Sequence, residues 1–203
     1  MKAGIQRIEI TDQINGRGAG RFRVAQKYHQ AINQVYRNIY PLSIGCDYIQ
    51  CSANEKLARY DIDFGVDVLL NLVNGQTITI QEKVLGTTYS TVTVEYYQNP
   101  QTGEEGDWFK LKCDLYFVGY GTTPPRLDRW ILLDWNRVKL YHNQIPWWCN
   151  SNKKDGARAN FLAANFWQIP DVCIIAAEYD YKGSTIKKSS DDWLKPSQYR
   201  LAL

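Results

Sequence analysis

The sequence predicts a mixed α/β fold, and three observations carry that expectation. Helix-spaced apolar residues come first, two-residue alternation takes over after about residue 57, and a helix with an apolar strand follows late in the chain. The 203 residues suit a single domain, 1–203, and 44% hydrophobic against 22% charged residues excludes a disordered or collagen-like chain. With 24 Lys and Arg against 21 Asp and Glu, the formal charge is only +3, which permits a nucleic-acid partner without demanding one. Aromatic residues make up 13%, including 7 Trp and 14 Tyr, so much of the packing and any flat ligand surface is ring-based.

The first element is a helix near 20–39. In RFRVAQKYHQAINQVYRNIYP the apolar positions Phe22, Ala25, Tyr28, Ile32, Val35, Tyr36 and Ile39 recur at helical spacing, and Pro41 stops the run. This segment carries Arg21, Arg23, Lys27 and Arg37 and no acid, which reads either as a solvated basic face or as a helix lying along a phosphate backbone.

Strands follow. Val66 to Leu72 is apolar apart from Asp67 and Asn71, Asn74-Gly75 is a hairpin turn signal, and TITIQEKV alternates up to Gly86. TVTVEYY reads as a third strand ending at the turn NPQTGEEGD, and WFKLKCDLYFVGY as a fourth that returns from it. After Pro124-Pro125, RWILLDWNRVKLY reads as a strand pair or a strand and turn, ARANFLAANFW as a helix near 156–167, and VCIIAAEY as a buried strand. The result is a basic helix, a mostly antiparallel sheet, then helix and strand.

No stretch approaches the roughly 18 consecutive apolar residues of a membrane span, and the start MKAGIQRIEITDQ has no apolar signal core. A cytoplasmic protein with no membrane partner is expected. The five Cys are scattered with no CxxC pair, so free thiols are expected rather than a zinc site.

Chemistry concentrates at the hairpin. Along the second strand Gln81 and Lys83 share one face, while Ile78, Ile80, Glu82 and Val84 share the other. Asp67 on the first strand brings a carboxylate toward Gln81 and Lys83. A carboxylate beside a carbonyl-type oxygen suits a hard cation such as Mg²⁺, and a nearby Lys can act at an attacking water or a developing phosphate charge. Spacing alone equally fits a surface hairpin with an exposed ion pair.

In that order, GVDVLLNL, TITIQEKV and TVTVEYYQNPQTGEEGDWFKLKCDLYFVGY resemble the core of the PD-(D/E)XK nuclease superfamily, phage-type members included, over about residues 57–120. The resemblance implies a restriction-endonuclease-like core, a central mixed β-sheet flanked by helices, with 125–203 as a C-terminal extension. It makes Asp67 the metal-binding Asp and Lys83 the catalytic Lys, with Gln81 where the family usually has Asp or Glu. Such a QxK variant is similar to that of some transposon end-cleaving endonucleases. Glu82 falls on the otherwise apolar face, where an unpaired carboxylate is costly. A bulge near the strand end would rotate it into the site, so both Gln81 and Glu82 stand as metal-ligand candidates. Glu95 matches the family's post-motif Glu, and Glu55, Asp61 or Asp63 are further sources of negative charge.

The function so implied is a Mg²⁺- or Mn²⁺-dependent deoxyribonuclease, more an endonuclease than an exonuclease. Branched or replication and repair DNA is its expected substrate, and a bacterial or phage-infected cell its setting. Arg21, Arg23, Lys27 and Arg37 would guide the DNA backbone, and a homodimer is the expected assembly for cutting both strands. Gln81 in place of an acid keeps open a nuclease fold that only binds nucleic acid, and the aromatic content a viral structural or interaction protein. Among the Trp residues, Trp147-Trp148 after Pro146 stands out, because two adjacent rings cannot both point inward.

Overall fold

A computed structural model describes residues 26–49, 64–151 and 159–189. Among the described residues, eleven strands form two sheets. β1 (Ser43–Tyr48), β2 (Val68–Leu72), β3 (Thr77–Leu85), β6 (Leu115–Tyr120), β7 (Arg129–Asp134), β10 (Ile174–Tyr181) and β11 (Ser184–Ser189) make a seven-stranded sheet in that spatial order. β5 (Glu104–Glu105), β4 (Thr91–Asn99), β9 (Asn160–Asn165) and β8 (Trp148–Ser151) make a four-stranded antiparallel sheet. The large sheet is mixed, because β3 and β6 run parallel while its other neighbours are antiparallel.

Helix α1 (His29–Ile39) covers one face of the large sheet. Its Ile32, Tyr36 and Ile39 are buried in one apolar cluster with Val68, Leu70, Ile80 and Phe117. The helical pattern expected over 20–39 is therefore seen at Gln26 and, after a turn at 27–28, from His29; Arg21 and Arg23 lie outside the described residues. The other face meets the four-stranded sheet and the short helix α3 (Trp135–Leu140). There Val92, Val94 and Ala164 join Tyr116, Val118, Leu133, Trp135 and Val138 in a second cluster. β6 is buried along its whole length, as its unbroken apolar sequence LYFVGY requires of a strand covered on both faces.

Several sequence expectations are corrected. The returning fourth strand is instead a short helix α2 (Asp107–Lys110) followed by β6, which leaves β4 and pairs with β3 in the other sheet. Asp114 fixes that choice: its carboxylate Oδ2 accepts from both the N–H and the hydroxyl of Thr79, at 2.9 and 2.8 Å. The helix expected near 156–167 is strand β9, held between β4 and β8, because pairing on both edges overrides the helical leaning of its Ala residues. After β7 the chain forms helix α3, whose N-terminus is capped by Asp134 accepting from the Arg137 N–H at 3.0 Å. The flanking layers are thus a helix on one face and mainly a second sheet on the other. Nor is the C-terminal part an appendage, since β7, β10 and β11 complete the large sheet and β8 and β9 make half of the small one.

Candidate active site

The regular β2–β3 ladder ends where Val68 pairs with Ile80. The Asp67 N–H also donates to the Ile80 carbonyl, at 2.9 Å, so two residues of one chain oppose one of the other in a bulge-like offset. β3 itself keeps register with β6 from Ile80 opposite Leu115 to Leu85 opposite Tyr120. Alternation along β3 is therefore intact: Gln81 and Lys83 face the small sheet, and Glu82 faces α1.

Asp67 is 6% exposed. Its Oδ2 accepts from Gln81 Nε2 at 2.5 Å and from the Glu82 N–H at 2.9 Å. Gln81 Nε2 also lies 3.4 Å from the Glu82 carbonyl oxygen, while Gln81 Oε1 is buried with no hydrogen-bond partner. Lys83 Nζ donates to the Thr93 carbonyl of β4 at 3.1 Å and sits 5.3 Å from the Phe161 ring centroid. Tyr116 Oη donates to that same Thr93 carbonyl at 2.8 Å.

Glu82 is the correction among the site residues. The bulge is on the Asp67 side, so the Glu82 carboxylate is not turned toward Asp67 and Gln81. It accepts from the Tyr36 hydroxyl at 2.8 Å on the α1 face. Burial raises its pKa to about 8, the Tyr36 hydrogen bond opposes that, and the Asp67 charge adds to it. Tyr36 is pushed up in turn, by burial and then by Glu82.

Asp67, Gln81, Glu82 and Lys83 border a cleft of about 850 Å³. Asp67, Gln81 and Lys83 form one wall, and Thr91, Thr93 and Glu95 of β4 form another together with Phe161. Asp107, the first residue of α2, borders it as well. Toward α1, His29 and Tyr48 line it as a stacked pair with ring centroids 3.9 Å apart. Burial holds the His29 pKa down at about 4, so that ring is neutral at neutral pH.

The hairpin thus brings together Asp67, Gln81 and Lys83, and the second sheet adds Glu95 across the cleft. Lys27 and Arg37 are exposed; Lys27 lies two residues from His29 at the cleft, whereas Arg37 is in the last turn of α1. Asp107, Tyr116, His29 and Tyr48 went unrecognised in the sequence as site residues. Beside Asp107, a side chain at Gly106 would meet the Glu95 carbonyl oxygen at 2.6 Å, which holds α2 close against β4. Of the two adjacent tryptophans, Trp147 packs on Trp108, with centroids 5.8 Å apart, and Trp148 is 39% exposed at the cleft.

The donor set can be tested against a divalent cation. Among the described residues no cluster of three or more His, Cys, Asp and Glu is placed to hold a metal. Mg²⁺, however, is commonly bound through one or two carboxylates with several waters retained. The Asp67 carboxylate beside the unpaired Gln81 Oε1 fits that pattern, provided the amide turns its oxygen toward Asp67; which end of an amide is oxygen is a hydrogen-bonding assignment.

Fold and cleft together define an α/β protein built on a large mixed sheet, with a polar and aromatic cleft where its β2–β3 hairpin meets a second sheet. No family model, curated protein or solved structure matches the chain. No helix among the described residues is long and apolar enough to cross a membrane.

Proposed function

We propose that the protein is a metal-dependent nuclease of restriction-endonuclease-like fold acting on DNA phosphodiester bonds at this cleft. The observation that carries the reading is the convergence of Asp67, Gln81 and Lys83 on one side of a hairpin, at the mouth of a cleft. The continuation of β3 beside a parallel strand within a mixed sheet supports it. Asp67 and the Gln81 amide oxygen would hold Mg²⁺ or Mn²⁺, which would supply Lewis acidity toward a phosphoryl oxygen. Lys83 contributes a fixed cation for an anionic phosphate and a donor for the attacking water. Glu95, across the cleft, adds a carboxylate able to accept a proton. Lys27, exposed two residues before His29, adds a positive charge at the start of α1.

A second reading is favoured by one observation. Gln81 Nε2 already donates to Asp67, so the pair is satisfied with no cation, as in a nuclease fold that only binds nucleic acid. The two separate on cleavage of single-stranded, duplex, flapped and four-way DNA, and of RNA, with Mg²⁺ or Mn²⁺. Wild-type protein is expected to cut at least one substrate, and Asp67→Ala and Lys83→Ala to lose about 100-fold or more in rate. No cutting by pure wild type sinks the enzyme, and cutting that survives Lys83→Ala sinks this site.

A further inference from the structure

The charge and rings of the cleft select among nucleic acids. Among the described residues that line it, Lys83 is the one Lys or Arg, and its Nζ is tied to the Thr93 carbonyl. Against it stand Asp67, Glu95 and Asp107, and Glu82 adds a fourth carboxyl whose pKa burial raises to about 8. His29 adds no positive charge at neutral pH. Among the described lining residues, a duplex would bring two phosphate backbones against more carboxylates than cations, a poor electrostatic match.

The aromatic surface is the reverse. Trp148 is 39% exposed and Tyr89 is 65% exposed at the same cleft, and Phe161 lies between the Lys83 ammonium and the β8 strand that carries Trp148. Trp148 pairs across the ladder with Ala163, a small neighbour on the same face. Tyr89 meets Tyr120 in a T-shaped contact, with ring centroids 6.4 Å apart, and still leaves most of its ring exposed. Exposed rings in a polar cleft suit unstacked bases, since every base has a π-face and stacking is sequence-tolerant.

Resting on the reading of this cleft as a nucleic-acid site, we infer that it takes a single strand, with one base stacked on Trp148 and another on Tyr89. Recognition is then through bases, and the strand enters with its phosphates toward Lys83 and the exposed cation Lys27. A protein partner is the rival occupant of such rings.

The test is fluorescence anisotropy of a labelled 12-nucleotide oligothymidylate, and of a 12-base-pair duplex, without divalent metal, on wild type, Trp148→Ala, Trp148→Phe and Tyr89→Ala. The expected result is tighter binding of the single strand by tenfold or more. Trp148→Ala and Tyr89→Ala should each weaken it about 5- to 150-fold, the range for losing one stacking ring, and Trp148→Phe should restore most of it. Circular dichroism melting of each variant guards against unfolding. Equal or tighter duplex binding, an unaltered affinity in Trp148→Ala, or no binding of either oligonucleotide overturns the inference. Single-strand binding with the ring dependence but no metal-dependent cutting leaves it standing and removes the nuclease. Cutting that ignores both ring substitutions does the opposite.

Discussion

Gln81 Nε2 lies 2.5 Å from Asp67 Oδ2, and the main-chain N–H of Glu82 donates to the same oxygen at 2.9 Å. One buried carboxylate oxygen therefore anchors both a side chain and the backbone of β3, and whatever else Asp67 does, it holds the hairpin at the cleft.

Removing that acceptor leaves two buried donors without an ionised partner. Hydrogen bonds to charged groups contribute about 1.5–3 kcal/mol each. Asp67→Ala is expected to lower stability by about 3–6 kcal/mol in urea denaturation, and Asp67→Asn, which retains one oxygen, by less. A wild-type midpoint in Asp67→Ala would show that the two bonds contribute nothing net.

Glu82 makes stability depend on pH with a definite sign. Its folded pKa, about 8, lies above its ordinary value of 4.5, so between those pH values the folded protein binds more protons than the unfolded chain. The stabilising contribution is full below pH 4.5 and is lost as pH rises through 8. Glu82→Gln keeps a partner for the Tyr36 hydroxyl and removes the titration. It should exceed wild type at pH 9 by on the order of 2 kcal/mol, a value discounted because the half-buried carboxyl is partly screened by water. Parallel stability curves for the two proteins from pH 4 to 9 would contradict the shift.

His29 acts in the opposite sense. Its pKa is lowered to about 4 by burial, so the unfolded chain takes up a proton near pH 6.5 that the folded protein refuses. The contribution is present above pH 6.5 and disappears as pH falls toward 4. The chain has only 2 His, so imidazole NMR resonances resolve readily; one should titrate near pH 4. A midpoint near 6.5 for His29 would mean that the Tyr48 stack leaves the ring solvated.

Gly106 is required by space rather than by backbone conformation, since its φ of −95° is open to any residue. A Cβ there would meet the Glu95 carbonyl oxygen at 2.6 Å and carbonyl carbon at 2.8 Å. Gly106→Ala should cost about 1–3 kcal/mol in thermal melting, the usual range for overpacking, and shift Glu95 at the cleft. An unchanged melting temperature would mean that α2 moves freely relative to β4.

Local periodicity made the hairpin legible. TITIQEKV alternates, Asn74-Gly75 supplies the turn with Gly75 at φ +81°, and the pairing of Gln81 with Lys83 on one face follows from a period of two. The inward helix face, Ile32, Tyr36 and Ile39, was readable for the same reason. β6 and β9 were not. LYFVGY is apolar on both faces and NFLAAN contains helix-favouring Ala, so local pattern left their pairing open; strands distant in sequence settled it.

By itself, then, the sequence determined the α/β class, the hairpin and the shared face of Gln81 and Lys83, because each depends on residues within a few positions of one another. Tertiary structure alone decided that β4 leaves for a second sheet, that Glu82 turns to Tyr36, and that Glu95, Asp107, Tyr89 and Trp148 border one cleft with Asp67. Those outcomes depend on contacts between segments far apart in the chain, where burial, hydrogen-bond satisfaction and strand pairing compete and no local period records the winner.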